Sequence, residues 1–543
     1  MQFPQRRDFP AMTKLSLALA ATLIGAAPTL AQNEQLQSLG RYTTGLGNGS
    51  AEIVAFDAAS ARMFCVNGSN SSLDIVDLSN PASPALLQRI SIATLFGDQE
   101  ASASPNSVAV SNGLVAVAVE RKESSGRHKP GRIAFFNTQG MLIDVAITGF
   151  LPDMVTFSPD GRFALSANEG EPVSDYSFDP EGSVTIVDCT KVRLALANPS
   201  QAASYALVPT DWKLATFGRF NSLAASLRAS GVRIYGPGAS VAQDLEPEYI
   251  TVPPGSIYAY VTLQENNAVA MVNMLTGIVA RIMPLGYKDW SLSALDASDQ
   301  DGAIRIQPWP VFGMYQPDAI VSFKIGTSTY FLTANEGDAR DYSTFKEEKR
   351  VNALTLDPTA FPNGATLKQN ANLGRLTCTD KLGDLDSDGD FDQLYTLGGR
   401  SFTIFRAGNS GTLTRIYDSG NQLEQLTAQL VPSRFNGDPV FDTRSDNKGP
   451  EPEGAAVGVV NGRTYAFVCL ERTNGVMMFD VTNPNAPVFR SYLNTSTVSG
   501  SSQTGDVGPE GLSFVPAAQS PSGFALVLAA NEISGTVSIY EVR

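Results

Sequence analysis

The chain has 543 residues, with 54 acidic side chains against 39 basic ones and a formal charge of −15. That balance makes nucleic acid an unfavourable partner. The one histidine, His128, reads as part of a polar loop, which excludes a His-rich zinc site and argues against a conventional Ser-His-Asp triad, and neither a Gly-rich phosphate loop nor a CxxC pair is present.

Residues 1–31 read as an export signal, in which Arg6, Arg7 and Lys14 precede an apolar run from Leu15 to Ala27 and Thr29-Leu30-Ala31 offers a cleavage site. Met12 is an alternative start with a more compact signal. The apolar run is shorter than the ~20 residues that cross a bilayer. Its removal leaves residues 32–543, more acidic still because Arg6, Arg7 and Lys14 leave together with only Asp8.

Within that remainder one unit recurs: Pro or Gly, an acidic residue, alternating apolar positions, a turn, a β-rich run ending in Asn-Glu or Glu, and a Gly-x-Val-x-Ile-like run. The clearest copies start at Asp153, Glu453 and Glu510, and weaker ones at Glu52, Asn106, Glu248 and Asp318. Seven such copies predict an all-β fold, a seven-bladed β-propeller of four-stranded blades in one domain. The last copy stops at its third strand, near the C-terminus. Residues 36–44 resemble the outer strands at 86–92 and 488–493 but have no repeat before them. The N-terminal strand is therefore expected to complete the last blade and close the ring, leaving no bare edge. Insertions are expected at 191–244, with a short helix near 222–228, at 283–316, and at 346–392. Cys65, Cys189, Cys378 and Cys469 fit either disulfides of an oxidising compartment or buried thiols.

In a propeller the start of the innermost strand and the end of the second strand lie on one face. The first position is held by Glu52, Asn106, Asp153, Glu248, Asp318, Glu453 and Glu510; the second includes Glu120, Glu169, Glu265, Glu336, Glu471 and Glu532. So many like charges at one mouth repel unless cations neutralise them. Glu52, Asp153, Glu169, Glu248, Glu265, Asp318, Glu336, Glu453, Glu471, Glu510 and Glu532 are thus candidate ligands for a hard cation such as calcium. For each position taken singly, the competing reading is structural: the carboxylate accepts main-chain amides and holds neighbouring blades together.

A more specific signal is Asp384-Leu-Asp386-Ser-Asp388-Gly389-Asp390-Phe-Asp392, where carboxylates alternate around a turn-forming Gly as in the opening of a calcium loop. Tyr395 stands where an EF-hand would place its bidentate Glu, so Asp384, Asp386, Asp388, Asp390 and Asp392 suit a free-standing calcium loop. A looser cluster at Asp296, Asp299 and Asp301 fits an Asp-rich turn equally well. Basic residues lie beside the acidic positions: Arg121, Arg340, Arg400, Lys448 and Arg472. Arg340, Arg400 and Arg472 are candidate clamps for a phosphoryl group, although each also suits an ion pair with an acidic neighbour.

The segments FLTANEGDARDY, LGDLDSDGDFDQLYTLGGRSFTIF, RSDNKGPEPEG, YAFVCLERTNGVMMFDVTNP and GDVGPEGLSF resemble the choice-of-anchor I family of exported bacterial propeller proteins, and the resemblance covers nearly all of 32–543. It implies kinship with an atypical cyanobacterial alkaline phosphatase and with a mesenchyme-specific cell surface glycoprotein, and so a secreted protein of the periplasm or medium. Relatives often carry His where this chain has Trp290 in YKDWS, which removes a possible ligand there. No C-terminal anchor is evident, so a released monomer is expected. Two functions follow as expectations: a metal-dependent phosphoesterase acting on a phosphorylated small molecule, with calcium and a possible second divalent metal, or a non-catalytic calcium-stabilised propeller that binds a surface ligand.

Overall fold

A computed structural model describes residues 34–543; the export signal read at 1–31 lies outside them. Among the described residues, seven antiparallel sheets have four strands each. Their innermost strands are Val54–Asp57, Ser102–Ser111, Pro152–Phe157, Pro247–Thr251, Ile320–Ile325, Pro452–Val460 and Pro509–Val515. Each of these neighbours the next, and the last neighbours the first, so the sheets form a closed circuit around a channel. This is a β-propeller.

Closure follows the expected route. Leu36–Thr43 pairs antiparallel with Thr536–Val542, with Leu36 opposite Val542 and Thr43 opposite Thr536. The seventh sheet is therefore built from both ends of the described chain. Strands inside the sheets, such as Phe163–Asn168 and Val476–Asp480, are buried at every position because each sheet is covered on both faces by its neighbours. That is why their sequences run apolar without strict alternation.

The inner strands begin in a recurring local geometry. Their register shifts at Pro105/Ser107, Pro152/Val155, Pro247/Ile250, Pro452/Ala455 and Pro509/Leu512, so Asn106, Asp153, Glu248, Glu453 and Glu510 sit in β-bulges. A bulge re-aims the side chain at a sheet's rim. Two residues earlier, Leu151, Gln316, Glu451 and Gly508 have φ values of 49, 42, 52 and 69°. Three of these are not glycine, and each left-handed residue of that kind costs on the order of 1 kcal/mol or more. The strain turns the chain sharply so that the following acid enters the channel mouth.

The insertions depart from the loops that the sequence suggests. The first holds helices Thr190–Ala197 and Ala224–Ser230, the latter close to the expected 222–228. The second and third join into a lobe. Tyr287–Asp289, Phe312–Met314, Tyr395–Thr396, Thr377–Thr379 and Glu348–Arg350 form a five-stranded sheet in that order. Its own core includes Trp290, Leu295, Trp309, Val351, Leu373 and Leu376. Trp290 is fully buried there and donates its indole N–H to Thr396 Oγ1 at 3.3 Å, so it is a packing residue of the lobe. All four cysteines are buried free thiols.

Candidate functional site

The repeat's two marked positions meet at one mouth of the channel. A cavity of about 290 Å³ is lined by Glu52, Asn106, Asp153, Asp318, Glu510 and Glu532, together with Ile53, Ser107, Met154 and Tyr249. Beside it, carboxylate oxygens of Asp153, Glu169 and Glu248 lie within 4.8 Å of one another, and Glu169 and Glu248 are hydrogen-bonded. Two such carboxyls share a proton when no cation is present. Glu453 lies among Glu336, Glu471, Asp318 and Glu510, and Glu265 completes the group next to Glu248 and Glu169.

The Asn-Glu pairs that close the second strands divide their roles. Asn168 donates to Ser183 and Thr185, Asn335 to Ser401 and Thr403, and Asn531 to Ser538. These asparagines tie the second strand to the third. The glutamate that follows each of them, Glu169, Glu336 or Glu532, faces the mouth.

The electrostatics are those of crowded, poorly solvated carboxyls. Burial first, and then repulsion from neighbouring acids, pushes Glu52 and Glu471 up to about 8 and Asp153 and Glu265 up to about 7. The same causes push Glu169, Glu248, Asp318, Glu453 and Glu510 upward. The structural alternative for the inner-strand acids is met at Glu52, which accepts the Gly68 amide. It is not met at Glu453 and Glu510, whose Oε2 atoms are buried with no hydrogen-bond partner; Glu265 Oε2 is likewise unpartnered. Buried oxygens without partners are costly unless something fills the site.

The mouth is asymmetric. On one side Glu336, Glu451 and Glu471 also converge within 4.8 Å, but protein cations meet them. Lys448 pairs with Glu336 and lies 3.5 Å from Glu451, Arg444 binds Glu451 at 2.5 Å, and Arg472 reaches Glu471 at 3.0 Å and Glu451 at 3.4 Å. Around Asp153, Glu169 and Glu248 no Lys or Arg ion pair forms among the described residues. One side is neutralised by the protein itself, and the other has no counter-charge from the protein.

Of the three candidate clamps, Arg472 alone lies at the mouth with a partly accessible side chain, 27% exposed. Arg340 is 2% exposed and bound to Asp244 and Glu246 below Tyr235. Arg400 is 1% exposed; it donates to Glu424 at 2.7 Å and to the carbonyls of Asp296, Ser445 and Asn447. Both are buried in ion pairs that anchor the insertions, the alternative that their acidic neighbours in sequence also allow. His128, which the sequence places in a polar loop, begins the strand His128–Asn137, is 3% exposed, and sits 3.6 Å from Glu120. Burial pushes its pKa down to about 4, so it is neutral.

The Asp-rich loop folds on itself. Asp384 accepts the amides of Ser387 and Gly389, and Asp392 that of Leu385. Oxygens of Asp384, Asp386 and Asp392 fall within 4.8 Å, and Asp357 joins Asp390 and Asp392 in a second group. Asp388 belongs to neither. Sequence spacing alone misses Asp357, which a bridge between Leu356 and Phe391 brings in. It also passes over Glu451, two positions before Glu453, and Tyr249, directly after Glu248.

The choice-of-anchor I domain matches residues 52–484. The chain belongs to the choice-of-anchor I family. Among its relatives, Gigasin-3a of Magallana gigas is 33% identical over 195 residues, 33% of this chain and 67% of that protein. The mesenchyme-specific cell surface glycoprotein of Strongylocentrotus purpuratus is 27% identical over 330 residues, 52% of this chain and 42% of that one. The chain thus spans less than half of the sea-urchin relative's length. Solved structures similar to it include hydrazine synthase of Kuenenia stuttgartiensis, with a TM-score of 0.45 and 12% identity over 91% of this chain and 96% of that one. The Cps50 β-propeller domain of Myceliophteria thermophila gives 0.42 and 10%, over 94% and 100%. A choice-of-anchor I domain marks an exported or surface-anchored protein, and no helix among the described residues is long and apolar enough to cross a membrane.

Proposed function

We propose that this choice-of-anchor I propeller is a calcium-binding protein whose mouth holds a hard divalent cation on Asp153, Glu169 and Glu248, and that the loaded mouth binds and hydrolyses a phosphate monoester. The observation that carries the reading is the convergence of Asp153, Glu169 and Glu248, where no protein cation stands, together with buried unpartnered oxygens on Glu265, Glu453 and Glu510 around the same mouth. An all-oxygen donor set suits calcium and, second, magnesium or manganese. A bound cation would supply electrostatic stabilisation of phosphoryl charge and acidify water.

The chain's own residues have separate tasks. Asp153, Glu169 and Glu248 give up protons to become ligands. Lys448 and Arg472, already held at the opposite side by Glu336, Glu451 and Glu471, bind the phosphoryl oxygens. With the one histidine buried and neutral, a mouth carboxylate has to accept the proton of the attacking water. The Asp384–Asp392 loop is a second calcium site, structural in role, with Asp357 as an added ligand.

Stripped protein restored with single ions tests both parts. Calcium binding should be observed by calorimetry, a chromogenic phosphomonoester should turn over only with metal restored, and Glu169→Gln should lower calcium affinity at the mouth at least tenfold while removing turnover. Calcium binding with no turnover by any restored metal would leave the non-catalytic ligand-binding propeller. Absence of binding would reject the cation site.

A further inference from the structure

The floor of the mouth indicates how an anion is held in a ring of carboxylates. Tyr249 follows Glu248 in the inner strand Pro247–Thr251 and is half-buried. It lines the 290 Å³ mouth cavity, and it also lines a second cavity of about 360 Å³ walled by Thr156, Val252, Val457 and Phe514. Met154 is the other residue common to both. These two side chains therefore form the partition between the acidic mouth and the less acidic remainder of the channel.

The Tyr249 ring is wedged among three of the propeller's apolar clusters. Its main-chain N–H is satisfied by Thr262 Oγ1 at 2.8 Å, but its hydroxyl has no hydrogen-bond partner among the described residues. That hydroxyl lies in the field of Asp318, Asp153 and Glu510, which stand at the starts of three different sheets. It is thus central to the ring rather than attached to one wall. A phenol O–H can donate to an anionic oxygen without adding a second charge.

Building on the cation reading above, we infer that Tyr249 is the hydrogen-bond donor at the floor of the mouth that receives one oxygen of a compact phosphoryl ligand. The partition makes this a ligand of small size. A phosphoryl group and a short substituent fit in the mouth, whereas an extended substituent would have to project outward past Lys448 and Arg472.

The test uses the full chain and Tyr249→Phe, which keeps the ring and removes the donor. Calcium alone and then inorganic phosphate on calcium-loaded protein are titrated calorimetrically, with thermal melting as the control for packing. The expected result is unchanged melting, calcium affinity within about twofold of wild type, and phosphate affinity weaker by about tenfold, the size of one hydrogen bond to a charged group. Unchanged phosphate affinity overturns the assignment. So does an equal loss of calcium affinity, which would make the phenol a cation ligand. If wild type binds calcium that Glu169→Gln weakens but binds no phosphate, this inference falls and the cation site stands; if no calcium binding depends on Glu169, both fall.

Discussion

Arg400→Met is expected to destabilise the protein by about 3–5 kcal/mol, the cost of breaking a buried ion pair from one side. Arg400 is closed off from solvent, and its guanidinium serves Glu424, which is fully buried, together with three main-chain carbonyls. Those carbonyls belong to Asp296 in the second insertion and to Ser445 and Asn447 ahead of the sixth sheet, so one side chain joins the accessory lobe to the ring. Methionine fills much of the volume but leaves the Glu424 carboxylate without its counter-charge, although Asn436 still donates to it at 2.9 Å. Chemical denaturation should show the loss, while calcium binding at the mouth should be unchanged at temperatures where the variant is folded. A variant as stable as wild type, but deficient in phosphate binding, would restore Arg400 to the role of clamp.

The second large effect concerns pH. In the folded, cation-free protein Glu52 and Glu471 titrate near 8 and Asp153 and Glu265 near 7, above their ordinary values of 4.5, 4.5, 3.8 and 4.5. Between those limits the folded state binds more protons than the unfolded chain. Stability is therefore fully present below about pH 4 and is lost as pH rises through 7 to 8. Calcium should reverse this trend, because it replaces the protons and binds more tightly as they leave; at a hundred times its dissociation constant it adds about 2.7 kcal/mol. The expected observation is a melting temperature that falls from pH 5 to pH 8 in chelator and stays level or rises in millimolar calcium. A chelated protein whose melting is flat across that range would show that the mouth acids are not crowded as described.

The propeller and its acidic rim were legible in the sequence because each repeat carries its own signal. Proline before an acid marks the bulge, and Asn-Glu marks the end of the second strand. The ring then follows from repetition, and Leu36–Thr43 completes it because the last sheet lacks an outer strand. What the sequence concealed lies between repeats. The lobe is assembled from strands far apart in the chain, with Phe312 beside Tyr395 and Lys349 beside Cys378, and no local period announces such pairs. Likewise Arg340 and Arg400 look like mouth residues by their neighbours in sequence, yet the insertions fold over them and supply Asp244, Glu246 and Glu424 as partners. Tyr249 occupies a position that most repeats fill with an ordinary apolar or polar residue, so only closure of the ring reveals it as the channel's floor.

The most direct measurement is anomalous scattering from crystals grown with calcium. A calcium peak at about 2.3–2.6 Å from oxygens of Asp153, Glu169 and Glu248 is the predicted result. Calcium confined to the 384–392 loop, with water or protons alone among those three carboxylates, would contradict it.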